Sequence, residues 1–212
     1  MRYIIKSYDN LFFLFIEINC MIRSENMGRI AVATCPEYRC VESGKIKGQL
    51  LAEAIGEGVE YHVHVPVTKS GLVACLTGAD YAVLSFHGAA NGIQDIYEDG
   101  SYKTVALIDD IKKFPTFQSL RLVILLICSA AGGENDNNIA AEISRHIAKD
   151  GLVIANRYVI TGTSKYARSS NNQPGWVAYQ NGKVVIPESK FPVRVTMSTM
   201  YSTAVSYWKG QL

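Results

Sequence analysis

The chain has 212 residues and a mass of 23.3 kDa, with 48% hydrophobic and 19% charged residues, enough apolar material for a real core and too little charge for a disordered or tail-like protein. Its 21 basic and 19 acidic residues leave a net charge of +2, so bulk charge argues neither for nucleic-acid binding nor for attachment to a membrane surface. The five cysteines, Cys20, Cys35, Cys40, Cys75 and Cys128, form an odd set without a regular framework, which predicts a reducing compartment.

Residues 1–27 read as an N-terminal extension, either a peripheral strand or helix or a segment upstream of a functional start at Met27. The apolar patch Leu11 to Ile16 is broken by Glu17 and Asn19, well short of the ~20 residues a spanning helix needs. Arg2 and Lys6 resemble the start of a signal peptide, but Asp9 and Asn10 intervene and no small-residue cleavage site follows. One domain is expected over 28–212.

From Gly28 onward, short apolar runs alternate with helical patterns, as in a parallel α/β sheet. Arg29 to Thr34 predicts a strand. After Ser43 and Gly44, read as a turn, Ile46, Leu50, Leu51, Ala54 and Ile55 follow helical spacing. Tyr61 to Val67 is the next strand, Ser70 to Thr77 a short helix with Leu72, Val73 and Leu76 inward, and Ala82 to Phe86 a third strand that runs into His87 and Gly88. Asp99 and Gly100 predict a hairpin between Gln94–Tyr97 and Tyr102–Val105, because both residues tolerate positive φ. Leu107 to Lys113 looks helical and stops at Pro115.

Leu122 to Ile127 is a continuous apolar run, as expected of a strand covered on both faces, and it delivers Cys128 followed by Ser129 and small residues to Gly133. A helix carrying Ile139, Ala140, Ile143 and Ile147 follows, capped by Asp136 or Asn137 and ended by Gly151, and Leu152 to Ala155 makes the fifth strand. Thr161 to Gly175, rich in Ser, Thr, Asn and Gly, reads as a long loop. Trp176–Tyr179 and Lys183–Ile186 form a hairpin around Asn181 and Gly182, and Met197, Met200, Tyr201, Ala204 and Trp208 mark a closing helix.

Ligands of open parallel sheets sit beyond the carboxyl ends of the strands. His87 ends one apolar strand and Cys128 the next, so neighbouring strands would bring imidazole and thiol to the same edge. The small residues Gly88 to Ala90 and Ser129 to Gly133 leave backbone N–H groups open to a substrate. His62 and His64 share a strand face, yet with Cys35 and Cys40 they lack finger-like spacing, so no metal site is expected; packed or exposed histidines fit better. His146 is read as surface and Cys75 as packing. No glycine-rich dinucleotide fingerprint or phosphate loop is present, and no cofactor is expected.

SFHG at 85–88 and LLICSAAGG at 125–133 resemble the two signature strands of the caspase-hemoglobinase (clan CD) cysteine peptidases, in which apolar strands end in His-Gly and in the nucleophilic cysteine. The nearest look-alikes are bacterial CHAT-type peptidases and the cysteine protease domains of RTX toxins, over roughly residues 28–210. The resemblance implies a caspase-like three-layer sandwich with a mainly parallel central sheet and a β-hairpin after the fifth strand. It also implies a His87–Cys128 dyad, an oxyanion hole from the backbone N–H groups of Gly88 and Cys128, and a protein or peptide substrate, with possible autoprocessing. Localisation would be cytoplasmic, or secreted as an effector or toxin fragment. No QAC-x-G pentapeptide surrounds Cys128, so aspartate specificity does not carry over.

Ser129, Glu134, Asp136 and Asn156 are the candidate substrate contacts. Leu126 stands where clostripain-like relatives hold an aspartate, while Glu134 and Asp136 keep a basic P1 side chain in play. Activation by inositol hexakisphosphate, which the toxin resemblance suggests, would need clustered bases; Arg157, Lys165, Arg168, Lys183, Lys190 and Arg194 read instead as a solvated face. The rival expectation is a catalytically inactive caspase-like or flavodoxin-like module that binds a protein or small ligand.

Overall fold

The apolar runs assemble side by side in the computed structural model, which describes residues 28–56, 58–96, 101–133 and 136–212. The N-terminal extension and the Asp99–Gly100 turn lie outside the described residues. β1 (Gly28–Thr34), β2 (Val59–His64), β3 (Tyr81–Ser85), β7 (Leu122–Leu126) and β8 (Leu152–Asn156) run parallel. The hairpin β11 (Trp176–Gln180) and β12 (Lys183–Ile186) adds antiparallel to β8. The seven-stranded order is β12-β11-β8-β7-β3-β1-β2.

Alternation sends side chains from each central strand to two cores. On one face Ile30, Val32, Val83, Ile124 and Trp176 pack with Leu51 of α1 (Tyr38–Ile55) and with Met197, Met200 and Ala204 of α5 (Met197–Trp208). On the other, Ala31, Leu84, Val123 and Leu125 meet Leu72 of α2 (Lys69–Leu76), Ile111 of α3 (Ile108–Ile111) and Ile139, Ala140 and Ile143 of α4 (Ile139–Ser144). Helices therefore flank a mainly parallel sheet on both faces. No helix among the described residues is long and apolar enough to cross a membrane.

Two three-stranded sheets complete the fold. β4 (His87–Ala89), β5 (Gly92–Ile96) and β6 (Tyr102–Leu107) form an antiparallel meander, matching the predicted hairpin. β9 (Ile160–Gly162) and β10 (Tyr166–Ser169) fall in or at the edge of the Thr161–Gly175 region expected to be a long loop, and β13 (Arg194–Thr196) pairs with β10 from farther along the chain. These strands are short, and β10 is completed by a partner remote in sequence, so no local periodicity announces them.

Other local expectations shift. α1 begins at Tyr38, so Ser43 and Gly44 lie inside it rather than in a turn. A Cβ on Gly48 would sit 2.6 Å from Tyr61 Cδ2, so the missing side chain lets the helix lie close on β2. α4 is capped by Asn138, whose Oδ1 accepts from the Ala141 N–H at 2.9 Å, and not by Asp136 or Asn137. It stops at Ser144, well before Gly151, and Ile147 instead forms a bridge with Phe117. At the predicted hairpin turn, Asn181 and Gly182 have φ of 47° and 77°, the left-handed pair that a tight hairpin requires.

Candidate functional site

β3 and β7 are hydrogen-bonded neighbours, paired from Tyr81↔Leu122 to Ser85↔Leu126. His87 and Cys128 each follow two residues after the last pair, Ser85↔Leu126. Beyond Phe86 the chain turns away into β4, which starts at His87. Gly88 makes that departure possible: its φ is +157°, and a Cβ there would lie 2.5 Å from the Gly92 carbonyl oxygen and 2.6 Å from Ile127 Cγ2.

His87 and Cys128 line one cavity of about 360 Å³ at the carboxyl edge of the sheet. α1 supplies a wall through Ser43 and Lys47, Ser85 and Leu126 form the strand ends, and the Thr161–Ser164 segment supplies hydroxyls at the rim. Cys128 is half-buried, with Sγ 3.9 Å from the Ile160 carbonyl oxygen. The other free thiol among the described residues, Cys75, is packed in the core at 4% exposure, where burial pushes it up to about 12.

Lys47 is the residue that sequence reasoning missed. Its Nζ donates to Ser85 Oγ at 2.9 Å, and burial pulls its amine down from 10.5 to about 8. In the sequence it is one more polar position of a helix; only the crossing of α1 over the end of β3 turns it inward.

The remaining candidates are not brought together. The turn after Cys128 is closed, not open: Ser129 N–H donates to Tyr158 O, Ala130 N–H to Ile127 O, Ala131 N–H to Asn156 O and Gly132 N–H to Ser129 O. Ser129 adopts a left-handed φ of 54° and does not line the cavity. Asp136 accepts the Tyr179 hydroxyl at 3.1 Å, and that hydroxyl also receives Asn138 Nδ2 at 3.1 Å. Asn156 is fully buried; its Oδ1 accepts Tyr158 N–H at 2.8 Å and its Nδ2 donates to Ser169 Oγ at 2.9 Å. Both side chains take part in hydrogen bonds within the fold, and neither lines the cavity that holds His87 and Cys128. Glu134 lies outside the described residues.

His62 and His64 are exposed on the edge strand β2. Cys35 and Cys40 are joined in a disulfide with Cα atoms 5.8 Å apart, which corrects the expectation of free thiols there and removes them as partners for those histidines. His146 is half-buried rather than superficial, its Nε2 3.3 Å from Glu142 Oε1. Among the scattered bases, Arg157 pairs with Glu188 at 2.7 Å and Arg194 lies over the Tyr166 ring, so they do not form an open anion cluster together.

No protein-family model matches the chain, and no curated protein sequence matches it. The cavity must therefore be read from its own chemistry. A thiol and an imidazole facing one solvent-accessible space are the minimum for nucleophilic attack at an acyl carbon.

Proposed function

We propose that this chain is a cysteine peptidase of caspase-like architecture, with Cys128 as nucleophile and His87 as acid–base. One observation carries the reading: thiol and imidazole, delivered by adjacent parallel strands, line the same cavity at the sheet edge.

The Cys128 thiol gives its proton to His87, and the thiolate Sγ attacks the carbonyl carbon of the scissile bond. The resulting oxyanion accepts N–H groups of Gly88 and Cys128, since the donors from Ser129 to Gly132 are engaged elsewhere; such a donor is worth about 2.7–4 kcal/mol in comparable sites. Collapse of the tetrahedral species breaks the C–N bond, and the His87 imidazolium protonates the departing amine. Water, deprotonated by His87, then cleaves the thioester, releases the carboxylic acid and restores the thiol.

A peptide library varied at P1 tests this, with wild type, Cys128→Ala and His87→Ala compared under identical conditions. Cleavage by wild type and at least a ~10³-fold loss in both variants is expected, in line with removal of members of a concerted unit. Cleavage that survives in Cys128→Ala overturns the proposal. Absence of cleavage by wild type favours the inactive binding module instead.

A further inference from the structure

We propose that Lys47 makes this cavity a carboxylate-binding subsite, so that the preferred substrate presents an acidic side chain, Asp or Glu, beside the Cys128 thiol. The consequence for substrates rests on the peptidase reading; the binding of a carboxylate does not.

The charge inventory of the cavity is one-sided. No Asp or Glu among the described residues lines the cavity; Lys47 and His87 are its basic groups, and the other lining side chains are hydroxyl-bearing, apolar or the thiol itself. Lys47 makes no ion pair among the described residues, whereas Lys45 on the same helix pairs with Glu42 at 2.6 Å. An ammonium group has three donors. One is spent on Ser85 Oγ at 2.9 Å, which anchors the side chain across the end of β3. The others meet no described protein acceptor. A lysine with no interior task has a flexible four-carbon stem and reaches water easily. This one is held in a cleft, its amine pulled down to about 8 by burial, a state that a bound carboxylate reverses by ion pairing.

Among the described residues, the same inventory offers a basic P1 side chain no counter-charge; Glu134 lies outside them. Asp136 is bonded to Tyr179, and the position two before the nucleophile is Leu126, a cavity-lining apolar side chain. A guanidinium or ammonium entering the cavity would meet Lys47 with no counter-charge from the described lining residues.

Two thiol reagents of nearly equal size isolate the effect: iodoacetate carries a carboxylate and iodoacetamide does not. The ratio of their rates at Cys128, mapped by mass spectrometry and divided by the ratio for the same cysteine in the urea-unfolded chain, cancels the thiolate fraction. At pH 6.5–7 the ratio is expected to favour iodoacetate by about tenfold, the scale of one charge-assisted hydrogen bond. It should fall toward unity in Lys47→Met, invert in Lys47→Glu, persist in Ser85→Ala, and decay in wild type as pH rises through about 8. Thermal melts confirm that each variant is folded. A wild-type ratio near unity, or one unchanged in Lys47→Met, overturns the inference, as does a Cys128 inert to both reagents.

Peptides with P1 Asp or Glu against Asn or Gln separate the two claims. An iodoacetate preference without any cleavage leaves the subsite standing and removes the peptidase. Cleavage with no acidic preference and a ratio near unity does the reverse.

Discussion

Two polar regions adjoin the same edge of the sheet, and they have opposite characters. In the turn region, the Tyr179 hydroxyl accepts from Asn138 and donates to Asp136, and Asn156 is closed by Tyr158 and Ser169. In the cleft, Lys47, Ser85, His87 and Cys128 face open space. A polar side chain near a nucleophile is thus no sign of function by itself. What separates the regions is where the polar side chains are turned: in one they close on each other within the fold, in the other they line a cavity with room for a ligand.

The sharpest way to break this contrast uses the free thiols. Cys75 is sealed and held near 12, so at pH 8 only about 10⁻⁴ of it is thiolate even before exposure is considered. Cys128 should therefore be alkylated by iodoacetamide at least about a thousandfold faster than Cys75 in the folded protein, with both rates converging in urea. Comparable folded-state rates would mean that the cleft is no more open than the core.

A second contrast sets Asn156 against Lys47, and the two substitutions should move stability in opposite directions. Asn156→Ala strands the Tyr158 N–H and the Ser169 hydroxyl and is expected to cost about 2–3 kcal/mol in urea melts. Lys47→Met removes a buried ammonium and should gain about 1–3 kcal/mol at pH 7. The sign follows from linkage. The folded amine titrates near 8 and the unfolded one near 10.5, so the unfolded chain binds more protons between those values. Wild-type stability from this group rises with pH across that window, and the advantage of Lys47→Met should shrink to nothing by about pH 11. A loss of stability at pH 7 in Lys47→Met would make the lysine a structural tie like Asn156.

The same distinction decides how much was legible in the sequence. Arg29–Thr34, Ala82–Phe86, Leu122–Ile127 and Leu152–Ala155 were readable as strands because burial on both faces demands unbroken apolar runs. Asn181–Gly182 was readable as a turn because left-handed φ selects those residues. His87 and Cys128 could be paired because each follows such a run, and strand adjacency then fixes their common edge. The partners of Ser129, Asp136 and Asn156, namely Tyr158, Tyr179 and Ser169, were not legible because they are supplied by tertiary packing that no local pattern encodes. β9, β10 and β13 were missed because three- or four-residue strands carry too few alternations, and Lys47 because helical periodicity marks core positions, not the wall of a cleft.

The smallest expected effect concerns the hinge between the two regions. Ser129 follows Cys128 in a left-handed conformation, φ 54°, which costs an L-residue about 1–2 kcal/mol. Glycine relieves that strain but raises the entropy of the unfolded chain by a smaller amount, about 0.5–1 kcal/mol. The turn itself is fixed by backbone bonds, Ser129 N–H to Tyr158 O at 2.9 Å and Gly132 N–H to Ser129 O at 2.7 Å, which any residue at this position makes. Ser129→Gly should therefore be neutral or stabilise by up to about 1.5 kcal/mol and leave the alkylation rate of Cys128 within about twofold of wild type. A tenfold fall in that rate with stability unchanged would give the serine hydroxyl a direct part in the cleft and move Ser129 from the closed region to the open one.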